Sequence, residues 1–202
     1  IHNNVVANMK KRLFLLSIIG FLILTSCNKE GVRVIANDDF KWTVTVPKKF
    51  KELSESEWDK VEDKGVETFE SVYGEEVENR ATTIFAYKNG KFQTFESNYQ
   101  IHDLETEGDY FESNKEVNQI MYETFEKTIP NATLDSISSK QMIDGLEFDR
   151  FEINIDFPNG IEMTTVGYSR LFNDKDFTIN IVYTKESVGK ELIKNILNSK
   201  FE

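Results

Sequence analysis

The chain reads as an α+β domain, an antiparallel β-sheet covered by helices, and three observations carry that reading. Toward the C-terminus, stretches of alternating apolar and polar residues follow one another through connections too short for anything but antiparallel neighbours. Two other stretches, within 117–129 and 188–197, repeat apolar residues every three or four positions, the period of a helix with one buried face. Between two apolar runs in the middle of the chain stands Asn89 followed by Gly90, a pair that accepts the positive φ of a tight hairpin turn.

The elements follow in order. Phe40, Trp42, Val44 and Val46 alternate with Lys41, Thr43 and Thr45 and stop at Pro47, which predicts a half-buried first strand. Across 54–73, Trp58, Val61, Phe69 and Val72 trace a helical stripe. Gly65 in its middle costs about 1 kcal/mol relative to Ala, so a broken or two-part helix is expected. The runs from Ala81 to Tyr87 and from Phe92 to Tyr99 form the hairpin around Asn89 and Gly90. Val117, Met121, Phe125 and Ile129, with Ile120 on the same face, predict an amphipathic helix that Pro130 ends. Ser113 and Glu116 have the spacing of a capping box at its start.

The last third is a meander. Leu134 to Lys140 is its first strand, and Phe151, Ile153, Ile155 and Phe157 alternate with polar residues in the second. Pro158, Asn159 and Gly160 turn the chain, Ile161 to Phe172 returns, and a polar turn at Asn173 to Asp176 leads to Phe177, Ile179, Ile181 and Tyr183. Val188, Leu192 and Ile196, with Ile193 and Leu197, give a closing helix its apolar stripe. Lys185, Lys190 and Lys194 form its wet side.

The first thirty residues differ in kind. From Met9 the chain runs Lys10, Lys11, Arg12, then apolar from Leu13 to Leu24, then Thr25, Ser26 and Cys27. A basic segment, a short apolar segment and small residues before a cleavage point make a secretory signal. The apolar run is too short for a membrane-spanning helix, which needs about 20 such residues. Residues 1–26 are therefore expected to be a signal peptide, with 1–8 upstream of the true start, and 27–37 a short polar tether. Residues 38–202 then form a single globular α+β domain.

Leu24, Thr25, Ser26 and Cys27 resemble a bacterial lipobox. That resemblance implies cleavage between Ser26 and Cys27, a diacylglycerol on the Cys27 thiol and a further acyl chain on its freed amine. One acyl chain holds a protein to a bilayer only marginally and two or three hold it stably, at about 0.8 kcal/mol per buried methylene. By the same resemblance Asn28, standing where an Asp would favour inner-membrane retention, favours the outer membrane, with the domain periplasmic or surface-exposed.

Charge narrows the function classes. The full chain of 202 residues carries −11, from 24 Lys and Arg against 35 Asp and Glu. Losing Lys10, Lys11 and Arg12 with the leader removes no acid and leaves −14. Such a chain repels phosphate backbones, and no basic cluster interleaved with aromatics offsets this, so nucleic-acid binding is disfavoured. Cys27 is the only cysteine, so disulfides are excluded and stability must come from a core to which 16 Phe contribute.

The order of elements also resembles the PsbP-like group of α/β/α sandwich proteins. The residues behind this are an early strand ending in a Val-Pro step, the turn Ile143, Asp144, Gly145 opening the meander, and the ending Asn198, Ser199, Lys200, Phe201. The group includes bacterial envelope lipoproteins of unassigned activity, the extrinsic subunit of photosystem II and Ran-binding Mog-type proteins. It has no common active site, so the resemblance implies a fold and no catalytic residues.

Catalytic chemistry has few candidates. His102 is the one histidine of the expected domain, and no Gly-x-Ser-x-Gly elbow accompanies it. Its expected role is that of a neutral or partly exposed residue at a strand end. Asp103, Glu105, Glu107 and Asp109, around Gly108, are the densest acidic set and the one weak candidate for a metal site, here Ca²⁺. Their spacing does not fit an EF-hand loop, so a solvated loop whose last acids face the next helix is expected. Glu75, Glu76 and Glu78 take the same reading. No phosphate-cradling glycine motif is present and no cofactor is implied.

The expectation is a lipid-anchored cell-envelope lipoprotein with a non-enzymatic binding or assembly-accessory domain, its partners the membrane and another envelope protein. One alternative is a periplasmic carrier of a small apolar ligand or Ca²⁺. Another is a hydrolase using carboxylates alone, which requires two of them to converge about 5–10 Å apart across a cleft. A deep pocket of buried aromatics would favour the carrier, and an exposed apolar patch the binding module.

Overall fold

In the computed structural model, which describes residues 32–202, the alternating stretches pair into an antiparallel sheet of seven strands beside a smaller one of three. The elements are β1 (Val32–Asn37), β2 (Trp42–Pro47), β3 (Lys51–Glu52), α1 (Glu55–Tyr73), β4 (Thr82–Lys88), β5 (Thr94–Ile101), α2 (Leu104–Glu107) and α3 (Tyr110–Thr128). There follow β6 (Thr133–Ile143), β7 (Leu146–Asp156), β8 (Glu162–Phe172), β9 (Lys175–Tyr183), α4 (Glu186–Leu197) and β10 (Lys200–Phe201). Strand order is β3-β4-β5-β9-β8-β7-β6 in the large sheet and β1-β2-β10 in the small one. Among the described residues no helix is long and apolar enough to cross a membrane.

Period-2 alternation divides the large sheet into two faces. Phe95, Val166, Tyr168, Phe177, Ile179 and Ile181 pack with Trp42 and Val44 of the small sheet and with Val188, Leu192 and Ile196 of α4. The opposite face carries Phe151, Ile153 and Ile155 against Met121, Tyr122, Phe125 and Ile129 of α3. The hairpin β4-β5 joins the meander through β5 and β9, with Phe95 opposite Ile181 and Glu96 opposite Asn180. Asp144 and Gly145, at φ 48° and 81°, supply the two positive-φ positions of the two-residue turn closing Ile143 on Leu146.

Several expectations change. Residues 32–37 are not tether but β1, whose full length pairs with β2, so the domain begins at Val32 and not at residue 38. Gly65 does not break α1, which runs unbroken from its Ser54–Glu57 capping box. Trp58 Nε1 donates to Thr83 Oγ1 at 2.9 Å and Thr83 donates on to Glu62 at 3.0 Å, tying the helix to β4 against the local cost of one glycine. The cap of α3 is Asp109, which accepts from Phe111 and Glu112, so Ser113 and Glu116 lie inside the helix. The hairpin loop spans Asn89 to Gln93, wider than a two-residue turn. The ending Lys200–Phe201 is a strand on β2, and Phe201 stacks on Trp42 at 6.0 Å.

Candidate functional site

The acidic run and His102 fold into the corner between β5 and α3. Asp103 Oδ1 accepts from the Glu105 amide at 2.9 Å and caps α2, a bond that lowers the Asp103 carboxyl below its ordinary range. Glu107 reaches Arg80 at 2.7 Å and His102 Nδ1 at 3.0 Å, Asp109 caps α3, and Glu105 is exposed. The four acids thus point to four different partners or to solvent, and among the described residues no cluster of three or more His, Cys, Asp and Glu side chains could hold a metal ion.

His102 does follow a strand end, but it is buried at 8% exposure, not open to solvent. Its Nε2 lies 3.0 Å from the Gly108 carbonyl and its Nδ1 3.0 Å from the Glu107 carboxylate, while Tyr110 packs on it edge-on at 5.6 Å. Both nitrogens are occupied by acceptors within the same turn. The ring is a clamp on the α2–α3 corner. Ser26 and Cys27 lie outside the described residues.

Beside this corner a cavity of about 500 Å³ is lined by His102, Tyr110, Phe111, Lys140, Asp149 and Arg170 among others. A second, of about 230 Å³, shares His102, Tyr110 and Ser169 with it and runs beneath the first half of α3. At their junction the Tyr110 hydroxyl donates to Asp176 Oδ1 at 3.0 Å. Burial raises the Asp176 carboxyl, and burial with the neighbouring Asp176 charge raises the Tyr110 phenol.

Farther along the same face lies Glu96, 8% exposed, accepting from Asn98 Nδ2 at 3.0 Å and from Asn180 Nδ2. Burial pushes its carboxyl up to about 7. Glu96 and Asp176 are the two acids whose burial could suggest acid–base catalysis. Asp176 stands opposite Gln100, four residues along β5 from Glu96, so at about 3.3 Å per residue the two are roughly 13 Å apart. That exceeds the separation of about 5–10 Å that paired carboxylates use on a glycosidic bond.

The outer side of α3 is apolar where it meets α1. Gly65, Phe69, Val117, Ile120, Met121 and Phe125, with Thr124, line a groove of about 370 Å³ between the helices. Val117 is 54% and Ile120 38% exposed at this surface. Helix α1 buries no residue fully; Tyr73 ties it to α3 through a bond to the Ile120 carbonyl at 3.4 Å, with Lys127 over its ring at 4.3 Å. Residue 65 being glycine opens this groove, since nothing lies within 4 Å of where its Cβ would be.

Sequence reading missed Glu96, Asp176 and the amides around them. The available signal was the polar half of the β5 and β9 alternation, Glu96, Asn98 and Gln100 with Asp176, Thr178 and Asn180, which by itself reads as a solvated sheet face.

No family model and no curated protein matches the sequence. Among solved structures, the chain is similar to cyanobacterial PsbP (CyanoP) from Synechocystis sp. PCC 6803, with a TM-score of 0.56 at 8% identity over 89% of this chain and 99% of that one. It also aligns with the Ran-binding protein Mog1p of Saccharomyces cerevisiae, with a TM-score of 0.41 at 10% identity over 84% of this chain and 95% of that one. The chain has the PsbP-like fold, a mixed α+β arrangement of antiparallel sheets and helices.

Proposed function

We propose that this chain is a lipid-anchored cell-envelope protein whose domain binds another envelope protein and performs no covalent chemistry. The observation that carries the binding reading is the apolar groove between α1 and α3, with Val117 and Ile120 open to solvent on an otherwise strongly acidic domain. Contiguous exposed apolar surface on a folded domain marks an interaction site. The competing readings fare worse. The two cavities beside His102 carry charged and polar side chains, which do not suit an apolar ligand, and the raised carboxyls stand too far apart to act on one bond.

The anchor rests on the sequence from Lys10 to Cys27 and the membrane on two or three acyl chains. Asn28 favours the outer membrane as the location. Labelling cells with a palmitate analogue should mark the wild type and not Cys27→Ser; equal labelling of both removes the anchor. A photoreactive residue at Val117, activated in the native envelope, should yield one discrete adduct with an envelope protein, and the same probe at the exposed Val34, on β1 of the small sheet, should not. Matching patterns from the two positions would refute the groove as a docking surface. Calorimetric titration with Ca²⁺ should be silent, and a micromolar site would restore the carrier reading.

A further inference from the structure

The face of the large sheet beneath α3 changes chemistry along its width. On β7 it carries the apolar residues that hold the second half of α3. On β5, β9 and β8 the same face carries Asn98, Thr178, Asn180, Gly167 and Ser169, and the first half of α3 lowers Asn114 and Asn118 over them. A sheet face covered by a helix is ordinarily apolar, because each polar group taken from water must find a partner. Here two polar walls stand apart around the 230 Å³ chamber.

Glu96 sets the floor. It draws the Nδ2 of both Asn98 and Asn180 toward itself, which leaves the Oδ1 of each amide free to accept. Asp176 accepts from the Tyr110 hydroxyl, and Gln100 also hydrogen-bonds its carboxylate. Across the chamber the side chains of Asn114 and Asn118 take no hydrogen bond from the described residues, so each offers two donors and an acceptor. Fixed acceptors below and amides above match groups that donate and accept at once.

We propose that this chamber binds a small, uncharged, hydroxyl-rich molecule of the monosaccharide or cyclic polyol class. A hydroxyl donates to the floor oxygens and accepts from the α3 amides in the same pose. An anion would face Asp176, and no Lys or Arg among the described residues lines the chamber to offset it. An ammonium could donate to the floor but would leave the α3 N–H groups without an acceptor. At about 30 Å³ per water the space corresponds to roughly eight waters, and covalently joined atoms pack more tightly, so a single sugar ring fits. This site lies on the sheet side of α3, sharing Val117 and Met121 with the α1–α3 groove, and it is independent of the anchor.

The test is a nuclear magnetic resonance titration of the isotope-labelled full chain, held in a detergent without a sugar headgroup, with D-glucose, D-galactose and myo-inositol. At least one should produce saturable, millimolar shifts in the side-chain amide signals of Asn98, Asn114, Asn118 and Asn180. The double variant Asn114→Leu, Asn118→Leu should weaken that binding by about tenfold or more, the loss of two hydrogen bonds. Asn159→Ala, in the turn outside the chamber, should bind as wild type. No saturable shift with any of the three probes overturns the proposal, as does unchanged binding by the double variant. Spermidine saturating the same signals more tightly than every polyol overturns the uncharged assignment.

Discussion

Replacing Glu96 by Gln tests whether a carboxyl buried on the β5 face of the sheet governs how stability depends on pH. The side chain is 8% exposed and burial raises its carboxyl from an ordinary 4.5 to about 7. Between those two values the folded protein holds a proton that the unfolded chain has released, so stability falls as pH rises through the window and levels off above it. At about 1.4 kcal/mol per pH unit the whole window is worth about 3 kcal/mol. Gln has the shape of the protonated acid, its carbonyl accepting from one flanking amide and its NH2 donating to the Oδ1 of the other once that amide turns over, and it does not titrate. Urea unfolding near pH 5 should therefore find the two proteins about equally stable. Near pH 8 the variant should be more stable by about 3 kcal/mol. Parallel pH profiles for wild type and Glu96→Gln, with a constant offset, would refute the reasoning.

Three further substitutions probe other links. Gly189→Ala places a methyl 2.4 Å from the Tyr183 ring and should cost about 1–3 kcal/mol in urea unfolding; wild-type stability would show that the ring swings aside freely. Gly65→Ala meets nothing within 4 Å and should stabilise by about 0.5–1 kcal/mol through helix propensity, so any loss of melting temperature contradicts the open geometry of the groove. Asp109→Ala removes the acceptor of the Phe111 and Glu112 amides and should cost about 1 kcal/mol. Hydrogen exchange should speed up at those amides and not at Met121 to Phe125; uniform acceleration along α3 would mean the cap supports the whole helix.

What could be read from the sequence was whatever a single element dictates. The strands through Ile153, Val166 and Ile179 announce themselves because side chains on a strand alternate between its faces, and the stripe Val117, Met121, Phe125, Ile129 does the same for α3. Beyond the hairpin and the meander, facts that need two elements were not legible. β1 looks polar because Arg33 and Asn37 interrupt it, and its place is fixed by pairing with β2. The cost of Gly65 is local, while the bonds through Thr83 that offset it come from β4. Asn98, Thr178 and Asn180 form half of an ordinary alternation, and only the passage of α3 above them turns a wet face into a chamber. His102 was the nearest miss. Its partners Glu107 and Gly108 are five and six residues on, but bringing them to the ring requires the turn that α2 makes.

The seat of Phe201 on Trp42 has a kinetic consequence. An early strand, β2, receives its second neighbour from β10, which follows the whole of the large sheet in the chain. Contacts of such wide sequence separation are slow to form, since the intervening loop must be closed before they repay its entropy. Until Phe201 arrives, one face of the Trp42 indole lacks its partner from β10, so closing the small sheet is a late step of folding.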